Sequence, residues 1–223
     1  FRSGQEKFDN FKSQLEDEDT SFIDAIKDYG YESEEAFLDY CITLAKEEEL
    51  NNKYVSENFD DLFEKYKPVK ARMMYFDGAS DTATAHETAE QALAEVKAGA
   101  DFAEVAAKYG SDATLAKETL YTNDDDDLDS NVILYLFSAE TTGLSGVLSN
   151  ANVNGFYIVQ ITNMNKEQLR SDFSEHVQAA DDFDDTVANY YFSKYNFTIY
   201  DIDIYNMVKE NYSAYLVQST GKK

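Results

Sequence analysis

The chain carries little of the side-chain chemistry that enzymes most often use. Its two histidines, His86 and His176, both fall in helical patterns and read as exposed helix residues. Its single cysteine, Cys41, lies inside the helical stretch Phe37-Leu38-Asp39-Tyr40-Cys41-Ile42-Thr43-Leu44 and reads as a small buried residue, not a nucleophile. One cysteine also excludes an intrachain disulfide. Oxygen ligands are more abundant. Asn123-Asp124-Asp125-Asp126-Asp127-Leu128-Asp129 offers carboxylates that could hold a hard cation such as calcium. It has no glycine at the sharp turn and no glutamate at EF-hand spacing, so it reads as an acidic surface loop with no metal. Gly110-Ser111-Asp112 and Gly143-Leu144-Ser145-Gly146 read as turns. A phosphate-binding glycine loop, a dinucleotide motif, zinc spacing and a Ser-His-Asp set are all missing, so no cofactor is expected.

The elements that would position any site are easier to read. The 223 residues suffice for one or two domains with cores of their own, and 43% apolar content with 17 Tyr and 15 Phe argues against disorder despite a formal charge of -25. That acidity disfavours nucleic acid and anionic surfaces, and favours solubility or basic partners. Residues 1–67 read as helices: Phe8, Phe11 and Leu15 mark one face, Thr20 to Gly30 a short helix, Ser33 the cap of another, and Asn58 to Tyr66 a further short helix. Pro68, the only proline, stops the helical region and sets an extended entry. Residues 69–165 then read as strand, helix, helix, short helix, strand, strand. His86 to Val96 forms the first of these helices. Gly99 closes it, Asp101 caps the next, and Phe102, Val105, Ala106 and Tyr109 share that next helix's apolar face. Val132 to Phe137 reads as the short helix. Beyond 165 the pattern is helical again: Leu169, Phe173, Val177 and Ala180 recur on one face, Asp184 to Tyr195 and Asp201 to Ser213 form helices, and Asn196 to Ile199 is extended. No signal peptide or membrane-spanning run is visible, and Phe in place of Met at position 1 is read as a processed or trimmed N-terminus.

The wording of several segments is more specific than their periodicity. Lys97-Ala98-Gly99-Ala100-Asp101-Phe102-Ala103 through Tyr109-Gly110-Ser111-Asp112 resembles a segment of parvulin peptidyl-prolyl isomerase domains. Lys70 to Phe76 resembles the first parvulin strand, Thr142 to Val147 a later turn and short strand, and Asn154 to Ile161 the last strand. Tyr29 to Tyr40 resembles a phrase in the N-terminal helical region of extracytoplasmic foldases of the PrsA and SurA type, and that resemblance implies a chain beginning part-way into the region. The resemblance implies an α+β fold: a discontinuous helical chaperone domain, 1–68 and 166–223, with an inserted parvulin-like α/β module, 69–165, built on a four-stranded antiparallel sheet with surrounding helices.

The resemblance also implies a site. Parvulins place two histidines and a Cys or Asp beside an apolar slot for the proline ring. Here the first-strand histidine position is Met73, the last-strand position is Tyr157, and the Cys/Asp position is Asp112. The Gly-Gly-Asp-Leu-Gly segment that usually follows is replaced by Lys117 to Tyr121. The proline-slot positions fall around Leu134 and Phe137. With neither histidine in place, the module is expected to be weak or inactive as an isomerase. The expected function is that of an extracytoplasmic folding factor acting on unfolded or newly secreted proteins through an aromatic cleft of residues such as Phe22, Phe37, Tyr40, Tyr191 and Phe192. The same resemblance implies a Gram-positive cell and attachment to the outer face of the membrane through a lipid anchor not contained in this sequence, and allows a homodimer. Two other readings stay open: an active isomerase using Asp112 and Tyr157, and a surface adhesin or structural antigen.

Overall fold

The structure, a computed structural model, describes residues 2–15 and 21–221. The elements in order are α1 (Arg2–Leu15), α2 (Phe22–Asp28), α3 (Glu34–Tyr66), β1 (Val69–Asp77), α4 (Thr82–Lys97), α5 (Phe102–Tyr109), a 3-10 turn (Ala113–Ala116), β2 (Thr119–Tyr121), α6 (Ser130–Ser138), β3 (Gly143–Leu144), β4 (Leu148–Ser149), β5 (Gly155–Asn163), α7 (Lys166–Gln178), α8 (Phe183–Lys194), α9 (Ile202–Asn211) and a last 3-10 turn (Ser213–Tyr215). The fold is α+β. The chain divides into two compact units, one of residues 1–58 and 178–223 and one of residues 59–177. The second unit is wider than 69–165 at both ends. The last turns of α3 supply Phe59 and Phe63, which pack against Phe173 of α7 at ring separations of 5.9 and 5.7 Å.

The first unit is helical. Ser21 caps α2 through its side chain, and Gly30 closes it at φ +87°, a left-handed conformation that costs glycine no Cβ clash. Thr20, expected to open this helix, lies outside the described residues. Ser33 accepts the Ala36 N–H and opens α3. Phe8, Phe22, Ile26, Phe37 and Cys41 form the core between α1, α2 and the start of α3. The separate short helix expected over 58–66 does not exist. Glu34 to Tyr66 contains neither Gly nor Pro, and one helix of 33 residues runs through it. Asn58, which looks like a cap, instead donates its side-chain amide to the Tyr54 carbonyl one turn back. Ala180, expected to extend the face of α7, falls beyond that helix and is exposed.

The second unit is built on an antiparallel sheet of five strands, not four. The order is β2-β1-β5-β3, with β4 also paired to β5. The long central pair β1 and β5 carries the sheet, and β2, β3 and β4 are two or three residues each. The Lys117 to Tyr121 segment supplies β2, with Val69 opposite Tyr121 and Ala71 opposite Thr119. Side chains alternate across β1. Met74 and Phe76 pack on one face with Leu93 of α4 and Phe102 of α5. Val69, Ala71 and Met73 pack on the other with Val132 and Leu136 of α6. α4 begins earlier than His86, because Asp81 accepts the N–H groups of Ala83 and Thr84 and caps the helix there. Gly99 at φ +100° and the Asp101 cap then make the α4–α5 corner as its sequence requires.

Candidate functional site

The α6 face of the sheet holds the positions of interest. In the β1–β5 register Met73 lies opposite Val159 and Tyr75 opposite Tyr157, so Met73, Tyr75 and Tyr157 share one face. Met73 is 2% exposed and offers neither donor nor charge. The Tyr75 and Tyr157 rings meet at 4.9 Å. Tyr75 also lies over Gly155, where an added Cβ would stand 2.6 Å from its hydroxyl, so a larger residue there would push the Tyr75 ring aside. Leu148 of β4 faces Tyr157 from the other side.

The polar neighbours of Tyr157 are Asn150, to which sequence reading assigned no role, and Asp129, which it placed only in an acidic surface loop. Asn150 donates its side-chain amide to the Tyr157 hydroxyl at 3.4 Å, and its own carbonyl oxygen accepts the N–H groups of Asn152 and Val153. Asp129 caps α6 by accepting the Asn131 N–H at 2.9 Å, and its second oxygen accepts the Ala151 N–H at 2.7 Å. One carboxylate therefore ties the start of α6 to the turn that carries Asn150. Asp129 is buried, which corrects the expectation that all of 123–129 forms a surface loop. Its cap was legible, since Asp129-Ser130-Asn131 stands directly before the apolar run of α6. Asp124 and Asp125 accept from the Thr122 hydroxyl and N–H. Among the described residues no group of three or more His, Cys, Asp or Glu side chains is placed to hold a metal ion.

Burial pushes the Tyr157 hydroxyl above its ordinary pKa, with the neighbouring Tyr75 and Asp129 adding to the effect and Asn150 opposing it. Burial, then Asp77, does the same for Tyr75. Both phenols are neutral donors at physiological pH. Asp112 is exposed and does not point its chemistry at either. Its carboxylate accepts the Thr114 N–H at 2.9 Å and the Thr114 hydroxyl at 2.6 Å, which together hold it below the usual carboxylate range. The adjacent Ser111 is what anchors this loop to β1, donating its N–H to the Tyr75 carbonyl and accepting the Asp77 N–H.

The two expected slot residues part company. Leu134 is 66% exposed and lines a groove of about 410 Å³ with Tyr135, Val147 and Leu148. Phe137 is half-buried and lines another of about 580 Å³ with Phe63, Pro68 and Met164. The side chains that surround Met73 are instead Val132 and Leu136, with Leu128, Tyr121 and Tyr135 at the margin. The histidines lie elsewhere. His86 sits on α4 with its ring edge-on to Phe156 at 5.0 Å. His176 sits on α7, half-buried and not exposed as expected, with Nε2 3.3 Å from the Thr122 hydroxyl.

A family model of the PPIC-type peptidyl-prolyl isomerase (PPIase) domain matches residues 46–175, more than half of the chain. The chain belongs to the PPIC-type PPIase domain family. Among solved structures, this PPIC-type chain is similar to the foldase protein PrsA of Streptococcus pneumoniae, at 20% identity over 94% of this chain and 87% of that one, with a TM-score of 0.37. PrsA of Bacillus anthracis matches at 18% identity over 90% and 91%, with a TM-score of 0.40. PrsA of Bacillus cereus matches at 17% identity over 93% and 79%, with a TM-score of 0.45. No curated protein matched the chain. Among the described residues no helix is long and apolar enough to cross a membrane.

Proposed function

We propose that this PPIC-type chain is an extracytoplasmic folding factor that holds unfolded or newly secreted proteins, and that its isomerase module does not catalyse. The observation that carries this reading is the composition of the α6 face: Met73, Tyr75 and Tyr157 stand on it, Met73 and Tyr157 at the two positions where the parvulin resemblance calls for imidazoles. Rotation about a peptide C–N bond faces a barrier of about 18–20 kcal/mol. Lowering it needs groups that stabilise the twisted amide more than the planar one. A buried thioether has no such group, and Asp112 spends its carboxylate on Thr114. What remains, an apolar and aromatic surface on a strongly acidic chain, suits weak and unselective contact with unfolded clients. By the same resemblance we place the protein at the outer face of a Gram-positive membrane, held by a lipid anchor, and we read the helical segments 1–68 and 166–223 as the holding domain.

The test pairs two measurements on one sample of the full chain. Exchange of a succinyl-Ala-Xaa-Pro-Phe peptide should run at its uncatalysed rate, while aggregation of an unfolded client should be delayed. One observation favours the rival reading of an active isomerase: the Tyr75 and Tyr157 hydroxyls are neutral donors on the site face. Acceleration of peptide exchange that disappears in Tyr157→Phe would establish that rival. Failure to delay aggregation, with no exchange activity, would favour an adhesin or structural role.

A further inference from the structure

The first unit contains an aromatic groove of about 470 Å³, lined by Phe11, Gln14 and Leu15 of α1, by Tyr29 and Tyr31 after α2, and by Phe37 and Tyr40 of α3. The turn after α2 makes it. With Gly30 at φ +87°, the Gly30 N–H reaches the Lys27 carbonyl and the Tyr31 N–H reaches the Ile26 carbonyl. That reversal leaves Tyr29 66% exposed and lays the Tyr31 ring against Phe37 at 5.1 Å and Tyr40 at 5.2 Å. Phe11 closes on Phe37 at 5.7 Å. Of the aromatic residues expected to line a client cleft, Phe22 and Tyr191 are buried in packing, and Phe192 stacks on Phe197. Phe37 and Tyr40 are the two that reach this groove.

Acidic residues outnumber basic ones near the lining in sequence: Asp28, Glu32, Glu35 and Asp39 are exposed within two positions of lining residues, residues 28–45 contain no Lys or Arg, and Lys12, next to Phe11 in α1, is paired with Glu34. Among the described residues no basic side chain lines it. The same aromatic cluster already holds a cation elsewhere: the Lys12 ammonium lies 5.1 Å from the Phe22 ring centre and 3.2 Å from Glu34. Ring faces are electronegative and attract a cation within about 6 Å, and a carboxylate rim adds to the attraction.

We propose that this groove takes the lysine or arginine side chain of an extended segment of an unfolded client, the rings holding its stem and cationic head and the carboxylates steering it in. This rests on the holding function proposed above and gives that function a preference. A second copy of the chain is the poorer occupant, because at a formal charge of -25 each copy repels the other. An acidic segment is excluded on the same ground.

The experiment measures binding of fluorescently labelled extended peptides to the full chain by anisotropy. The peptides are identical except for a central Lys, Arg, norleucine or Glu. The Lys and Arg peptides should bind about 3- to 10-fold more tightly than the norleucine peptide, with Glu weakest, and the preference should shrink in high salt. Tyr29→Leu and Tyr40→Leu should each weaken binding of the Lys and Arg peptides more than binding of the norleucine peptide, so that the charge preference shrinks. Tyr29 is exposed enough that its replacement should not disturb folding, which circular dichroism would check. Peptide binding that ignores the central charge, or a charge preference that survives both variants, overturns the groove assignment and leaves the holding function standing. No binding of any peptide, with no delay of client aggregation, overturns both. Sedimentation showing a dimer that Tyr29→Leu dissociates would assign the groove to a second copy and overturn the proposal.

Discussion

On one face of the central strand, Met74 and Phe76 pack with Ile158, Leu93 and Phe102 beneath α4 and α5, and the buried cluster there is apolar throughout. On the other, Met73 packs beneath α6 beside Tyr75 and Tyr157, and buried polar groups appear: Asp129 at 7% exposure and Ser145 at 3%. Both of those polar groups are occupied with backbone. Ser145 accepts the Val159 N–H and donates to the Gly146 carbonyl, while Asp129 takes the N–H groups of Asn131 and Ala151. The first face is a plain core. The second carries a helix cap, a pinned turn and two phenols: the Asp129 carboxylate and the Ser145 hydroxyl are engaged with backbone, while the Tyr75 and Tyr157 rings lie against each other.

That contrast is most easily broken at the plain core. Phe76→Ala should cost about 3–5 kcal/mol, the usual range for emptying a buried aromatic position. Urea unfolding of the full chain would read it, and a loss under about 1 kcal/mol would mean that the α4 and α5 face is not the tighter one. On the α6 face the largest effect should come from Asp129. Asp129→Ala removes a cap and leaves the Ala151 N–H without its acceptor, for about 2–3 kcal/mol, and Asp129→Asn should recover part of it by keeping one acceptor. Faster amide exchange at Asn131 and Ala151 would localise the loss. A smaller effect is expected at the phenol. Tyr157→Phe should change stability by less than about 1 kcal/mol, because its 3.4 Å contact with Asn150 is long, and should leave prolyl exchange unchanged.

How much of this was legible in the sequence depends on whether the determinant is local. The α4–α5 corner was readable because Gly99 and Asp101 act within their own turns. The antiparallel sheet with its two long strands was implied by the parvulin resemblance of Lys70 to Phe76 and Asn154 to Ile161. The short strands β2, β3 and β4 were not all foreseen, since two or three residues carry no period and owe their form to partners on β1 and β5. α3 was divided too early because Asn58 is a capping residue type, yet nothing there breaks the helix. Met73 and Tyr157 were placed by resemblance alone, and the β1–β5 register sets them on one face of the sheet. Tyr75 follows from the strand period of two and could have been added. Asn150 and Asp129 meet Tyr157 only through tertiary folding. On α6 the phase is set by Val132 and Leu136, buried at i and i+4, which turns Leu134 outward about 200° from Val132 and leaves Phe137 at the margin.

The least of the effects concerns Asp112, and it separates a cap from a catalyst. Its carboxylate receives the Thr114 hydroxyl and N–H, and those bonds hold its pKa below the ordinary value of 3.8. A group whose folded pKa is depressed stabilises the fold above its unfolded pKa, and that contribution is lost as pH falls through the folded value. Asp112→Ala should therefore lower the Tm slightly at neutral pH, and the difference from the unaltered chain should close as the medium is acidified below the carboxylate range. Because the side chain is exposed, the neutral-pH difference should be small. Thr114→Val should reproduce much of it, since it removes the hydroxyl donor and leaves the backbone one. A catalytic Asp112 would behave otherwise. Its removal would abolish a measurable prolyl exchange activity with its own pH profile.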